Sequence, residues 1–134
     1  MNQKLPTSGE VERKLSQNIL KLYKQELEHL PGKITCQLFD NQLAVVIENA
    51  LTAVEKTLAE AEDQGKTVEK LNLAINDVIE FKLKDLIEEI LAVKVQDILF
   101  DTTLETGRTG AIVTLENPPQ VRNPESIPKN KINN

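Results

Sequence analysis

Tryptophan is absent from this chain of 134 residues, and aromatic side chains make up only 3% of it, so Leu, Ile, Val and Ala must fill any core. Cysteine and histidine occur once each, as Cys36 and His29. A single cysteine excludes an intramolecular disulfide, and the two together fall short of a conventional zinc cage. Apolar runs are short; Leu43 to Ile47, at five residues, is among the longest, which excludes a bilayer-spanning segment. The first residues, with Lys4 followed by Pro6, Thr7 and Ser8, lack the apolar stretch of a signal peptide, so a cytoplasmic protein is expected. Positive charge is also in deficit. Sixteen Lys and Arg against twenty-one Asp and Glu leave a net charge of −5, which argues against phosphate-driven nucleic-acid binding. What remains is a 40% hydrophobic chain of single-domain size.

Period and punctuation divide it. Thr7 and Glu10 have the spacing of a capping box and open a helix whose apolar stripe is Val11, Leu15, Ile19, Leu22, Leu27 and Leu30. Pro31-Gly32 is expected to end it, with His29 in its last turn. The period then changes to two. Ile34, Cys36 and Leu38, a turn at Asp40-Asn41, and Leu43, Val45 and Ile47 predict a β-hairpin. Ala44 and Val46 make the second strand apolar on its other face too, so that face is expected to have a cover, another subunit for example. A second capping box, Thr52 with Glu55, opens a short helix running to about residue 62. After a break at Gly65 a long helix is predicted over 67–92, its buried stripe being Leu71, Ile75, Val78, Ile79, Leu83, Leu86, Ile87 and Ile90. At 1.5 Å per residue it spans roughly 39 Å, more than a four-stranded sheet needs for cover. Part of it is therefore expected to pack outside the monomer. Two strands follow, over 93–101 and 109–116, with Val93, Val95 and Leu99 sharing one face of the first and Ile98 and Phe100 the other.

The order α-β-β-α-α-β-β predicts a two-layer α+β domain over residues 1–116, with an antiparallel sheet of about four strands and helices on one face. Residues 117–134, rich in Pro and Asn, read as a flexible tail. Arg122, Lys129 and Lys131 against Glu125 give that tail +2, leaving −7 on the domain.

The chemistry-bearing candidates are few. In the polar loop 101–108, Arg108 with the three threonine hydroxyls of Thr102, Thr103 and Thr106, beside Asp101 and Glu105, has the composition of a carboxylate or phosphate site. The same composition suits an ordinary hairpin loop in which Arg108 pairs with Glu105 or Asp101. His29 has no second histidine at ligand spacing, and Cys36 has no local base, so neither predicts metal binding or nucleophilic catalysis. The acidic residues Glu60, Glu62 and Asp63 do not match a calcium loop. No phosphate-cradling Gly-rich loop, nucleophile elbow or metalloprotease signature is present, so no catalytic residue, metal or cofactor is expected.

Three stretches together are similar to a known family: Gly9-Glu10 with Ile19-Leu20-Lys21-Leu22-Tyr23 and the Pro-Gly break; Leu51-Thr52-Ala53-Val54-Glu55-Lys56-Thr57-Leu58-Ala59; and Lys94-Val95-Gln96-Asp97-Ile98-Leu99-Phe100-Asp101. They resemble the small bacterial MpsC-like domain of a sodium-translocating, membrane-potential-generating system, over about residues 8–116. His29-Leu30-Pro31-Gly32 departs from the family's Gly-rich helix end. The resemblance implies a soluble partner of membrane transport components, in a setting of cation or inorganic-carbon uptake, and brings no catalytic residues with it.

The leading expectation is thus a non-catalytic, homodimeric regulatory or adaptor module associated with a membrane transporter component, without direct membrane insertion. Two alternatives stand beside it. The element order is similar to that of a type II KH domain, which would bind RNA, although the expected Gly-X-X-Gly loop reads Asp63-Gln64-Gly65-Lys66-Thr67. A small-ligand or anion sensor would use the 101–108 loop.

Overall fold

The computed structural model describes residues 4–61 and 63–129. Helix α1 (Ser8–Leu27) starts on the expected capping box, with Thr7 Oγ1 accepting from the Glu10 amide at 3.1 Å and Glu10 Oε1 from the Thr7 amide at 3.0 Å. Glu10 is held below the usual carboxylate range chiefly by that amide. The helix ends before Pro31-Gly32. Glu28 turns left-handed, at φ 50°, and its amide closes on the Lys24 carbonyl. His29 and Leu30 therefore leave the helix: the His29 ring sits 2.7 Å from the Asn49 carbonyl, and Leu30 is exposed instead of extending the stripe.

The first hairpin forms as expected. Strands β1 (Ile34–Phe39) and β2 (Gln42–Ile47) pair antiparallel around a turn in which Asp40 takes a positive φ of 54°. Helix α2 (Ala53–Ala59) begins on the second capping box, and the break after it falls where Gly65, at φ 79°, precedes α3 (Lys66–Leu91). The expected end of α2 near residue 62 lies three residues past the observed one, and residue 62 itself is outside the described residues.

The strands of the second hairpin keep their predicted lengths but are shifted toward the turn, and the loop is shorter than predicted. Strands β3 (Val95–Thr103) and β4 (Arg108–Leu115) absorb both ends of the polar loop, leaving only 104–107 between them. The expected face pattern of β3 is also corrected. A bulge between Val95 and Asp97 inserts one residue, so that Val95, Ile98 and Phe100 face inward while Leu99 faces out, 70% exposed.

The four strands form one antiparallel sheet in the order β1-β2-β4-β3. Against its inner face α1 and α3 bury Leu15, Ile19, Tyr23, Ile79, Leu83 and Ile87 over Leu38, Leu43, Val45, Val113 and Leu115. Each such side chain adds about 1.5–3 kcal/mol on leaving water. The N-terminal half of α3 departs from the predicted stripe. Val68, Asn72 and Asn76 point inward, Leu71 and Ile75 are half-buried, and Val78 is exposed with Leu73 and Phe81.

The Pro/Asn-rich segment is likewise not a loose tail in its described part. Residues 117–129 lie along the body, burying Val121 and Ile127 in the core. Asn123 Oδ1 accepts from the Ser8 amide at 2.8 Å, the Arg122 amide donates to the Pro6 carbonyl, and the Asp40 amide donates to the Pro128 carbonyl. The remainder of the predicted tail, 130–134, lies outside the described residues.

Candidate functional site

The sequence-predicted loop residues do not converge. Asp101, Thr103 and Glu105 line a depression of about 440 Å³ at the free edge of β3, together with Glu69, Asn72 and Leu73 of α3. Thr106 serves the turn: its hydroxyl donates to the Thr103 carbonyl at 3.3 Å and accepts from the Arg108 amide at 3.2 Å. Gly107, at φ 72°, supplies the left-handed position that closes the turn onto Thr103. Its carbonyl accepts from the Ala50 amide, which fastens the hairpin tip beside α2.

Arg108 points elsewhere. Its Nε donates to both carboxylate oxygens of Glu48 at 2.9 and 3.0 Å, on the outer face of the sheet. The partner is thus neither Glu105 nor Asp101. The depression is lined by three carboxylates and no cation, so the arrangement expected to hold a carboxylate or phosphate is not assembled there. Among the described residues no group of three His, Cys, Asp or Glu is placed to hold a metal ion.

Beneath the depression runs a polar chain that the sequence reading missed. Glu55 is 1% exposed. Its Oε1 accepts from the Thr52 amide at 2.9 Å and the Thr52 hydroxyl at 3.0 Å, and its Oε2 accepts from Asn72 Nδ2 at 2.7 Å. Asn76 Nδ2 donates to Asn72 Oδ1 and to Thr102 Oγ1, and Thr102 and Thr109 share a hydrogen bond of 2.6 Å. Thr109 in turn bonds the buried Tyr23 phenol. Burial pushes that phenol well above its ordinary range, the Thr109 bond opposes the shift, and the Glu55 carboxylate adds to it. The spacing of Asn72 and Asn76, four apart and in phase with Val68 and Ile79, was the available signal; two amides on an inward helical face require partners.

The other candidates are occupied locally. Cys36 is buried, its thiol pushed up to about 11 chiefly by desolvation, so little thiolate exists at neutral pH. In the turn between α2 and α3, the Asp63 carboxylate takes the Gly65 and Thr67 amides at 3.1 Å, and also the Thr67 hydroxyl. Those bonds, the hydroxyl's first, hold Asp63 below the usual carboxylate range. The Gly65 and Thr67 amides of this turn are thereby engaged within it.

The outer face of the sheet is a different surface. Across it, in strand order, run Phe39-Gln42-Thr114-Asp97, then Gln37-Ala44-Ile112-Leu99, then Thr35-Val46-Gly110-Asp101. At its end Arg108 is paired with Glu48. Ala44, Val46, Leu99, Gly110 and Ile112 border a shallow apolar depression of about 320 Å³.

These elements define an α+β domain with one helical layer and one open antiparallel sheet face. The family model described as "Na+-translocating membrane potential-generating system (MpsC)" matches residues 7–117, and the chain belongs to that family. The match starts at the N-cap of α1 and stops two residues beyond β4, so the resemblance read from the three stretches is borne out. No curated protein and no solved structure matches the chain. Among the described residues no helix is long and apolar enough to cross a membrane.

Proposed function

We propose that the chain is a non-catalytic, homodimeric regulatory or adaptor module that attaches to a membrane ion or inorganic-carbon transport system. The observation that carries this reading is the open sheet face, whose centre is Ala44, Val46, Leu99 and Ile112 rather than polar side chains. A sheet face of that kind is stable in water when something covers it. The chemistry of the candidate residues supports the non-catalytic part. The lone histidine is bonded to a main-chain carbonyl, the lone cysteine is a buried thiol, and the buried carboxylate of Glu55 is spent on a helix cap and an asparagine. The family's name, with its membrane-potential-generating system, supports the setting.

The test is physiological. Cells lacking this chain are compared with cells re-expressing it, using a potential-sensitive dye while external Na+ is varied. A Na+-dependent difference in membrane potential, restored by the chain, is expected. Identical dye responses in both strains would overturn the transport association.

A further inference from the structure

Resting on the homodimer reading, we infer that two copies stack their open sheet faces about a two-fold axis that runs parallel to the strands, between β2 and β4. The first observation is Gly110. Its φ is not in the left-handed region, and a Cβ there would meet nothing closer than the Val45 carbonyl at 3.8 Å. Neither the backbone nor the monomer's packing requires glycine at this position. A glycine in a strand interior weakens the strand, and it marks places where another chain approaches closely. Gly110 lies beneath the apolar depression on the outer face.

The second observation is the order of residues across the sheet. An axis along the strands lays β2 over the partner's β4 and β1 over the partner's β3. The row Thr35-Val46-Gly110-Asp101 then sets Val46 on the partner's Gly110, and the row Gln37-Ala44-Ile112-Leu99 sets Ala44 on the partner's Ile112. Each is a large side chain against a small one, and the symmetry repeats both. Asp101 and Leu99 meet the partner's neutral Thr35 and Gln37, while Glu48 falls beside the partner's Arg108. The alternative axis, across the strands, stacks β3 on itself. Midway between the two rows it puts Leu99 against the partner's Asp101; through the Leu99 row it puts Leu99 on Leu99 but Asp101 on the partner's Asp97, a carboxylate on a carboxylate.

The edges favour a face-to-face arrangement over strand addition. Glu12 Oε2 occupies the Leu38 amide on β1 at 2.7 Å, and Asp101 Oδ1 takes the Thr102 amide on β3 at 2.8 Å. Strands of this length, about 20 Å at roughly 3.3 Å per residue, and four strands about 4.8 Å apart give a footprint of roughly 400 Å² per copy. The pair buries about 800–1,200 Å² once side-chain relief is included, the low end for a specific interface, so association in the micromolar range is expected.

Light scattering on the full chain at tens of micromolar should give twice 15.0 kDa. Gly110→Val should give the monomer with an unchanged circular dichroism spectrum, and Ile112→Gln, a change at a solvent-facing position, should do the same. In a Cys36→Ala background, mixing Gln37→Cys with Leu99→Cys protein should yield a bismaleimide cross-link, while Leu99→Cys alone should not. A wild-type monomer overturns both this inference and the homodimer reading. A wild-type dimer that survives both face substitutions overturns the face but leaves the homodimer standing. Cross-linking of Leu99→Cys with itself, without the mixed product, overturns the axis.

Discussion

Glu55 illustrates how one side chain can serve two elements. Its carboxylate caps α2 through Thr52 and reaches Asn72 on α3, so the short helix and the long one share a buried hinge point. Glu55→Ala removes a cap and leaves the Asn72 amide without its acceptor. Together these losses should cost about 2–4 kcal/mol, read as a lower urea midpoint with circular dichroism. Glu55→Gln should lose less, because an amide oxygen can still accept from Thr52. Cys36 gives the pH prediction. Its thiol rises from an ordinary value of 9.0 to about 11 in the folded chain, while the unfolded chain ionises near 9.0. The thiol therefore supports the fold fully below pH 9, and that support falls as pH climbs toward 11, since the unfolded state releases the proton first. Urea midpoints measured at pH 8 and pH 10.5 should differ in that direction, and Cys36→Ala should reduce the difference. Tyr23, shifted the same way, sustains part of it.

Most elements were legible in the sequence, and the exceptions have local causes. Both capping boxes announced their helices because Thr and Glu three apart satisfy each other with no help from tertiary structure. The hairpin turn at Asp40-Asn41 was equally local. The bulge in β3 was not, because an extra residue between Val95 and Asp97 is invisible in a pattern of alternating side chains until the partner strand fixes the register. The inward phase of Asn72 and Asn76 is hidden in the sequence because a helical pattern marks its buried face by apolar residues, and two amides do not register in it. For the candidate site, composition found the loop but not its geometry: Arg108 belongs to the sheet face with Glu48, and Thr106 belongs to the turn. The Pro/Asn segment was read by composition too, yet Val121 and Ile127 are enough to pin it. Removing residues 118–134 should cost about 3–6 kcal/mol from those two side chains alone, by the usual value for burying a Val or Ile. With total stabilities of about 5–15 kcal/mol, a markedly lower melting temperature is expected, measured by calorimetry on the shortened chain.

At the scale of the molecule, the two-layer architecture followed from element order, because four strands and two long amphipathic helices can close only one face of the sheet. The other face acquires meaning only when residues from four strands are read across the pairing, since Val46 and Gly110 are 64 positions apart in the chain but side by side in the sheet. Charge is distributed to suit: acidic residues lie on β3 and around the 440 Å³ depression, while the centre of the outer face is uncharged. The family match ends at residue 117, yet the bonds between Ser8 and Asn123 and between Pro6 and Arg122 tie the start of α1 to residues beyond it. A contact spanning 115 positions has a consequence for biosynthesis. The ribosome delivers α1 well before Asn123, so the first helix emerges 115 positions ahead of the residue that fastens its N-terminus. During that interval the nascent chain holds its opening turn by local bonds, the Thr7–Glu10 box and the Val11 amide on the Thr7 carbonyl, and the clasp closes only once Asn123 has emerged.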